Sequence, residues 1–153
     1  MGLVFLFVGK TKEGFIKEGI GKYLDLLRKN KIEVEVRELK GSAGTSPQKA
    51  VEDEGEAILE RVLPSDFLVA LDERGMLAGS VELAGQLGAL FDSGRRVIFA
   101  VGGPFGLAEK VKARSGLLLS LSRLTFTHEM ARLILLEQVY RSITITRGRT
   151  YHY

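Results

Sequence analysis

The chain has 153 residues, no cysteine and only two histidines, His128 and His152, which excludes a disulfide scaffold and a thiolate metal site and leaves no expectation of structural zinc. Apolar residues make up 45% and charged residues 27%, the balance of one soluble domain long enough to bury a core. The run Leu3–Val8 is too short for a signal sequence, and no stretch approaches the ~20 apolar residues that span a bilayer, so a soluble, unexported, cytoplasmic protein is expected. The formal net charge of +3 is unevenly placed. Arg123, Arg132, Arg141, Arg147 and Arg149 face only Glu129 and Glu137 in the last fifth of the chain, and the rest is neutral. Arginine's planar donors suit phosphates and base edges, so nucleic acid is a candidate partner, although a solvated basic tail has the same composition.

In chain order, Leu3–Val8 is an unbroken apolar run that predicts a strand buried on both faces. Thr11–Lys29 carries Phe15, Ile16, Ile20, Tyr23, Leu24 and Leu27 at helical spacing. Ile32–Arg37 alternates, as an edge strand does, and 40–46 reads as a mobile surface loop. Pro47 opens a helix to about Val62, Phe67–Leu71 is a second buried strand, and Ser80 is placed to cap a helix over Val81–Phe91. Val97–Val101 is a third buried strand, a helix follows from about Leu107, and Gly116–Leu121 reads as another strand. Met130–Tyr140 fits a helix whose apolar residues surround the axis, which requires cover on several sides and suggests a second subunit on one of them. Strand alternating with helix implies a single α/β domain on a parallel sheet.

Chemistry concentrates in three places. Gly102-Gly103-Pro104-Phe105-Gly106 follows a buried strand, where glycines let backbone approach a ligand at the carboxyl end of a sheet or simply make a tight turn. It is neither a dinucleotide fingerprint nor a P-loop. Leu121–Glu129 gathers hydroxyls and His128 where a helix begins. His128 and Arg132 share a helical face, and helix capping by Thr127 accounts for the pattern equally well. Glu137 and Arg141, four apart, read as a helix-surface ion pair. The terminus Arg147–Tyr153 combines arginines with tyrosines, the ingredients of single-stranded RNA recognition or of a packed terminal strand.

Taken in order, these segments resemble the RlmH (YbeA-like) ribosomal RNA methyltransferases of the SPOUT superfamily. The residues that carry the likeness are Val8-Gly9-Lys10, Asp53–Glu56, Ala70-Leu71-Asp72, Gly102–Gly106, Leu121–His128, Glu137–Arg141 and Tyr151-His152. The resemblance implies a parallel-sheet fold with a deep trefoil knot within about 67–145, a homodimer with shared active sites, and methyl transfer from S-adenosylmethionine without a metal. By position it implies a cofactor pocket of Leu71, Gly102, Gly103, Leu121, Ser122, Arg123, Leu124, Thr125 and Phe126. The implied substrate is N3 of a pseudouridine in 23S ribosomal RNA within the ribosome. His128, Arg132, Arg141, Tyr151 and His152 are the candidates for catalysis. Glu129 stands where the family carries an uncharged residue, often proline, and could pair with Arg132. The rivals are the same fold acting on tRNA, a non-enzymatic RNA-binding or assembly factor, and a nucleotide-phosphate enzyme, against which the absent phosphate-binding lysine argues.

Overall fold

The structure is a computed structural model that describes residues 2–151. Five strands, β1 (Gly2–Val8), β2 (Glu33–Leu39), β3 (Phe67–Met76), β4 (Val97–Val101) and β5 (Leu117–Leu119), form one parallel sheet in the order β2-β1-β4-β3-β5. Five helices complete the chain: α1 (Gly14–Lys29), α2 (Pro47–Leu59), α3 (Ser80–Asp92), α4 (Glu109–Arg114) and α5 (His128–Thr146). The unbroken apolar runs of β1 and β4 are central, and the alternating β2 lies at an edge.

Successive strand residues point to opposite faces and so build two cores. Leu3, Phe5, Phe7, Val69, Val97, Phe99 and Val101 meet α1, α3 and α5 on one face. Register places Phe5 opposite Phe99, and their rings stack with centroids 5.0 Å apart. Val4, Leu6, Leu68, Ala70, Ile98 and Ala100 meet α2 and α4 on the other. The result is a three-layer α/β/α domain.

The helix ends follow local chemistry. Ser46 caps α2 by accepting from Lys49 N–H, with Pro47 at the first helical position, and Thr127 caps α5 by accepting from Met130 N–H. Ser80 is not the cap of α3. Gly79 occupies that position, and the Ser80 hydroxyl donates instead to Gln138 Oε1 on α5 at 3.2 Å. Loop 40–46 has no regular structure, and Ser42 N–H ties it to Glu54 Oε1.

Helix α5 runs well beyond the predicted Met130–Tyr140. Most of its all-round apolar surface is covered within the chain, because it packs between α1 and α3 against the sheet, burying Leu135, Leu136, Val139 and Ile143. Met130 and Ile134 stay half-buried, and Phe15 on α1 and Val81 on α3 are exposed on the same side of the sheet. The all-round pattern therefore reports two flanking helices first, with a smaller apolar remainder near the starts of α1, α3 and α5.

Candidate active site

The irregular stretch of β3 after Leu71 and the loops that leave the carboxyl ends of β4 and β5 enclose a cleft of about 970 Å³. Ligands of open α/β sheets bind at this end, beyond the strands. The glycine turn forms one wall. A side-chain carbon on Gly102 would sit 2.7 Å from the backbone carbon and oxygen of Gly106, Gly106 N–H bonds Gly103 O at 3.1 Å, and Gly106 has φ +80°. Glycine at 102 and 106 is thus required by the turn itself, before any ligand is considered. Gly103 has room for a side-chain carbon, in ordinary contact with Val8 and Glu54.

The loop after β5 forms the facing wall. Ser122 shapes it, accepting Leu124 N–H at its hydroxyl at 3.0 Å while its carbonyl takes the Ser120 hydroxyl at 3.1 Å. Leu71, Gly102, Gly103, Leu121, Ser122, Leu124, Thr125 and Phe126 all line the cleft, and Arg123 does not. The turn after β4 and the loop after β5 therefore share one cavity.

Carboxylates dominate the cleft, with Glu13, Asp72, Glu73, Glu109 and Glu129 against Arg74 and Lys112. Asp72 was not among the residues singled out for the site. It holds Lys112 Nζ at 2.7 Å and accepts Arg74 N–H at 3.0 Å. Burial works against its ionisation, but these donors outweigh it and the carboxyl titrates below its ordinary range. An acid immediately after a buried strand was the available signal for Asp72. Lys112, on α4, gave none.

The five catalytic candidates separate. His128 is the first residue of α5 and lines the cleft. Arg132 does not: it is fully buried, donating to Val8 O at 2.6 Å and Thr11 Oγ1 at 2.9 Å, with its guanidinium 5.0 Å from the Phe7 ring centroid. Its Nε has no partner, and burial lowers its pKa from the ordinary arginine value. Arg132 thus stands behind the cleft wall, tying α5 to the end of β1. Glu129 does not form the ion pair with Arg132 that its spacing suggested. It accepts the Glu13 and Lys12 N–H groups at 3.0 and 2.9 Å, which, Glu13 first, hold its carboxyl below the usual range against the opposing effect of burial.

Arg141 pairs with Glu137 at 2.5 Å, as the four-residue spacing suggested, and its guanidinium lies 4.8 Å from the Tyr151 ring centroid. Tyr151 packs edge-on against Tyr140 at 4.8 Å, and its hydroxyl lies 3.3 Å from that of Tyr23 and 3.4 Å from Glu137. Burial pushes the Tyr151 phenol well above its ordinary pKa, so it stays protonated. This cluster is about 20 Å along α5 from His128. The arginine-rich tail forms a turn, with Arg147 bonded to Asn30 O at 2.8 Å and Arg149 to Asn30 Oδ1. It is closer to a packed terminus than to an extended RNA-gripping arm. His152 lies outside the described residues.

Among the described residues no cluster of three or more histidines, aspartates or glutamates is placed to hold a metal, and no helix is long and apolar enough to cross a membrane.

A parallel α/β sheet with a glycine turn and a serine-threonine loop closing one cleft at its carboxyl end is the arrangement of a SPOUT methyltransferase, an enzyme class whose methyl donor is S-adenosylmethionine. A family model described as "Predicted SPOUT methyltransferase" matches residues 1–152, and the chain belongs to that family. Within it, the chain is 45% identical to the ribosomal RNA large subunit methyltransferase H of Pelotomaculum thermopropionicum, over 99% of this chain and 98% of that one. It is 41% identical to the protein of the same name from Thermotoga neapolitana, over 97% of each, and 38% identical to that of Trichlorobacter lovleyi over the full length of both.

Proposed function

We propose that the cleft holds S-adenosylmethionine and that the protein, as a cytoplasmic homodimer, methylates N3 of a pseudouridine in 23S ribosomal RNA within assembled ribosomes. The observation that carries this reading is the shared cleft of the Gly102–Gly106 turn and the Leu121–Phe126 loop. Its contents fit the donor. Backbone groups of the glycine turn and the apolar Leu71, Leu121 and Phe126 suit an adenine, and the excess of carboxylates suits a sulfonium cation. When bound, the donor supplies an already activated methyl group.

The chain's own task is to hold the ring nitrogen about 3 Å from the methyl and to accept its proton as the N–H is lost. His128, on the cleft wall, is the described candidate nearest that task. A cation nearby would stabilise the developing ring anion, and Arg141 is the candidate for it. Tyr151, held protonated, would act as a hydrogen-bond donor rather than a base. Because Arg141, with Tyr151 packed against it, lies about 20 Å along α5 from His128, a second copy of the chain would bring the second set to the same substrate. The half-exposed apolar remainder around Met130, Ile134, Phe15 and Val81, beside the cleft, supports a partner there. The trefoil knot within about 67–145 belongs to the same reading, supported by the match of the family model to residues 1–152.

The test is transfer of labelled methyl from S-adenosylmethionine to ribosomes from cells lacking this protein, with bulk tRNA alongside and mass spectrometry of the product. Label on one pseudouridine of the large-subunit RNA is expected. Label confined to tRNA, or no binding of the donor at millimolar concentration, would overturn the reading.

A further inference from the structure

At the other end of the sheet, three arginines converge on one residue. Asp66, buried just before β3, receives Arg96 through Nε at 2.9 Å and Nη2 at 2.6 Å. Its carbonyl oxygen receives Arg95 Nη2 at 3.0 Å and Arg114 Nη2 at 3.3 Å. Two guanidinium nitrogens on one oxygen lie no farther apart than those two bonds laid end to end. Arg95 and Arg114 also bond Ser65 O and Leu63 O, and Arg95 lies over the Phe67 ring at 5.4 Å, which fixes its plane. Arg61 contributes only its carbonyl oxygen, which accepts Arg96 Nη2 at 3.4 Å, while its guanidinium bonds Ala57 O and pairs with Glu60 at 4.0 Å.

The carboxylates do not balance this charge. Asp66 is taken by Arg96, and among the described residues neither Arg95 nor Arg114 forms an ion pair. Carbonyl oxygens need donors but not positive charge, so the loop's hydrogen bonding alone gives no reason to crowd like charges. Among the described residues, the remaining N–H groups of the exposed Arg95 and half-buried Arg114 have no further acceptor, the arrangement that grips phosphate oxygens.

Resting on the ribosomal RNA reading above, we propose that Arg95 and Arg114 form a second contact surface, which docks the sugar-phosphate backbone of the ribosomal RNA at the amino end of the sheet. The surface lies at the amino ends of β3 and β4 and the cleft at the carboxyl end of β4, and α4 joins them, since its Lys112 lines the cleft two residues before Arg114. It reads backbone position rather than sequence and gives the domain a hold on folded RNA outside its cleft.

Co-sedimentation with ribosomes across a salt series tests this. Relative to wild type, R95Q/R114Q is expected to bind about tenfold more weakly at ~0.15 M salt, with the slope of log affinity against log salt reduced by about 2. R95K/R114K, which keeps the charge, is expected to retain the wild-type slope. Unchanged affinity and slope in an R95Q/R114Q protein that still binds S-adenosylmethionine would overturn the proposal. Should that pair fail to fold, Arg95→Gln alone decides, with a slope reduced by about 1 expected and an unchanged slope contradicting. A wild type that sediments with ribosomes at full slope yet transfers no methyl would instead sink the methylation reading and leave this surface standing.

Discussion

The guanidinium of Arg132 donates to the carbonyl oxygen of Val8 at 2.6 Å in a fully buried setting, joining the first turns of α5 to the end of β1. Three residues earlier, Glu129 takes the Lys12 and Glu13 N–H groups, so α5 grips both ends of the β1–α1 connection that brings Glu13 to the cleft. Sequence spacing grouped Arg132 with His128. Burial separates them.

Arg132 is therefore expected to act on stability. Arg132→Ala should cost roughly 3 kcal/mol, from lost charged hydrogen bonds and a cavity, and Arg132→Met less, because volume is kept. Urea unfolding checks this. A stable Arg132→Ala protein with no activity would return Arg132 to the catalytic group.

Asp66 makes stability depend on pH. The Arg96 hydrogen bonds, opposed by burial and aided by Leu63 N–H, hold its carboxyl below the ordinary range. A depressed carboxyl stabilises the fold above its unfolded pKa of about 3.9, and the contribution is lost as pH falls through the lower folded value. Asp66→Ala should cost roughly 2 kcal/mol at neutral pH, a deficit that shrinks below about pH 4. A deficit constant from pH 7 to 3 would contradict this.

The two glycines of the turn should behave differently. At Gly102 a methyl would strike the Gly106 backbone, so Gly102→Ala is expected to weaken S-adenosylmethionine binding by tenfold or more, about 1.4 kcal/mol. Gly103→Ala, with its methyl in open contact beside Val8, should bind within about twofold of wild type. Calorimetry on both variants decides, and the reverse order would show that a ligand, not the turn, sets the glycine requirement.

His128 lines the cleft without shaping it. His128→Ala should lower kcat by roughly 10- to 100-fold while the affinity for S-adenosylmethionine holds. Equal losses in both would make it a cofactor contact.

The central strands were legible because an apolar run without alternation has only one place in an open sheet, between layers. β3 was predicted to end at Leu71 but continues to Met76, through an irregular stretch before Met76 pairs with Leu119, a detour that tertiary pairing sets and propensity does not. Eight of the nine cofactor positions, which the family resemblance supplied by position and local pattern alone did not, line the cleft. The Asp66 arginines were invisible: the pair Arg95-Arg96 and the distant Arg114 are brought together only by the meeting of β3, β4 and α4.

The most direct test of the account mixes two variants, Gly102→Ala with a defective cleft and Arg141→Ala with a defective distal cluster, each shown to be inactive alone. In a shared-site homodimer, co-expression makes half of the molecules mixed, each with one site assembled from two intact halves. Methylation of ribosomes should recover to about a quarter of the wild-type level. A mixture no more active than its two components would contradict a site completed by a second copy of the chain.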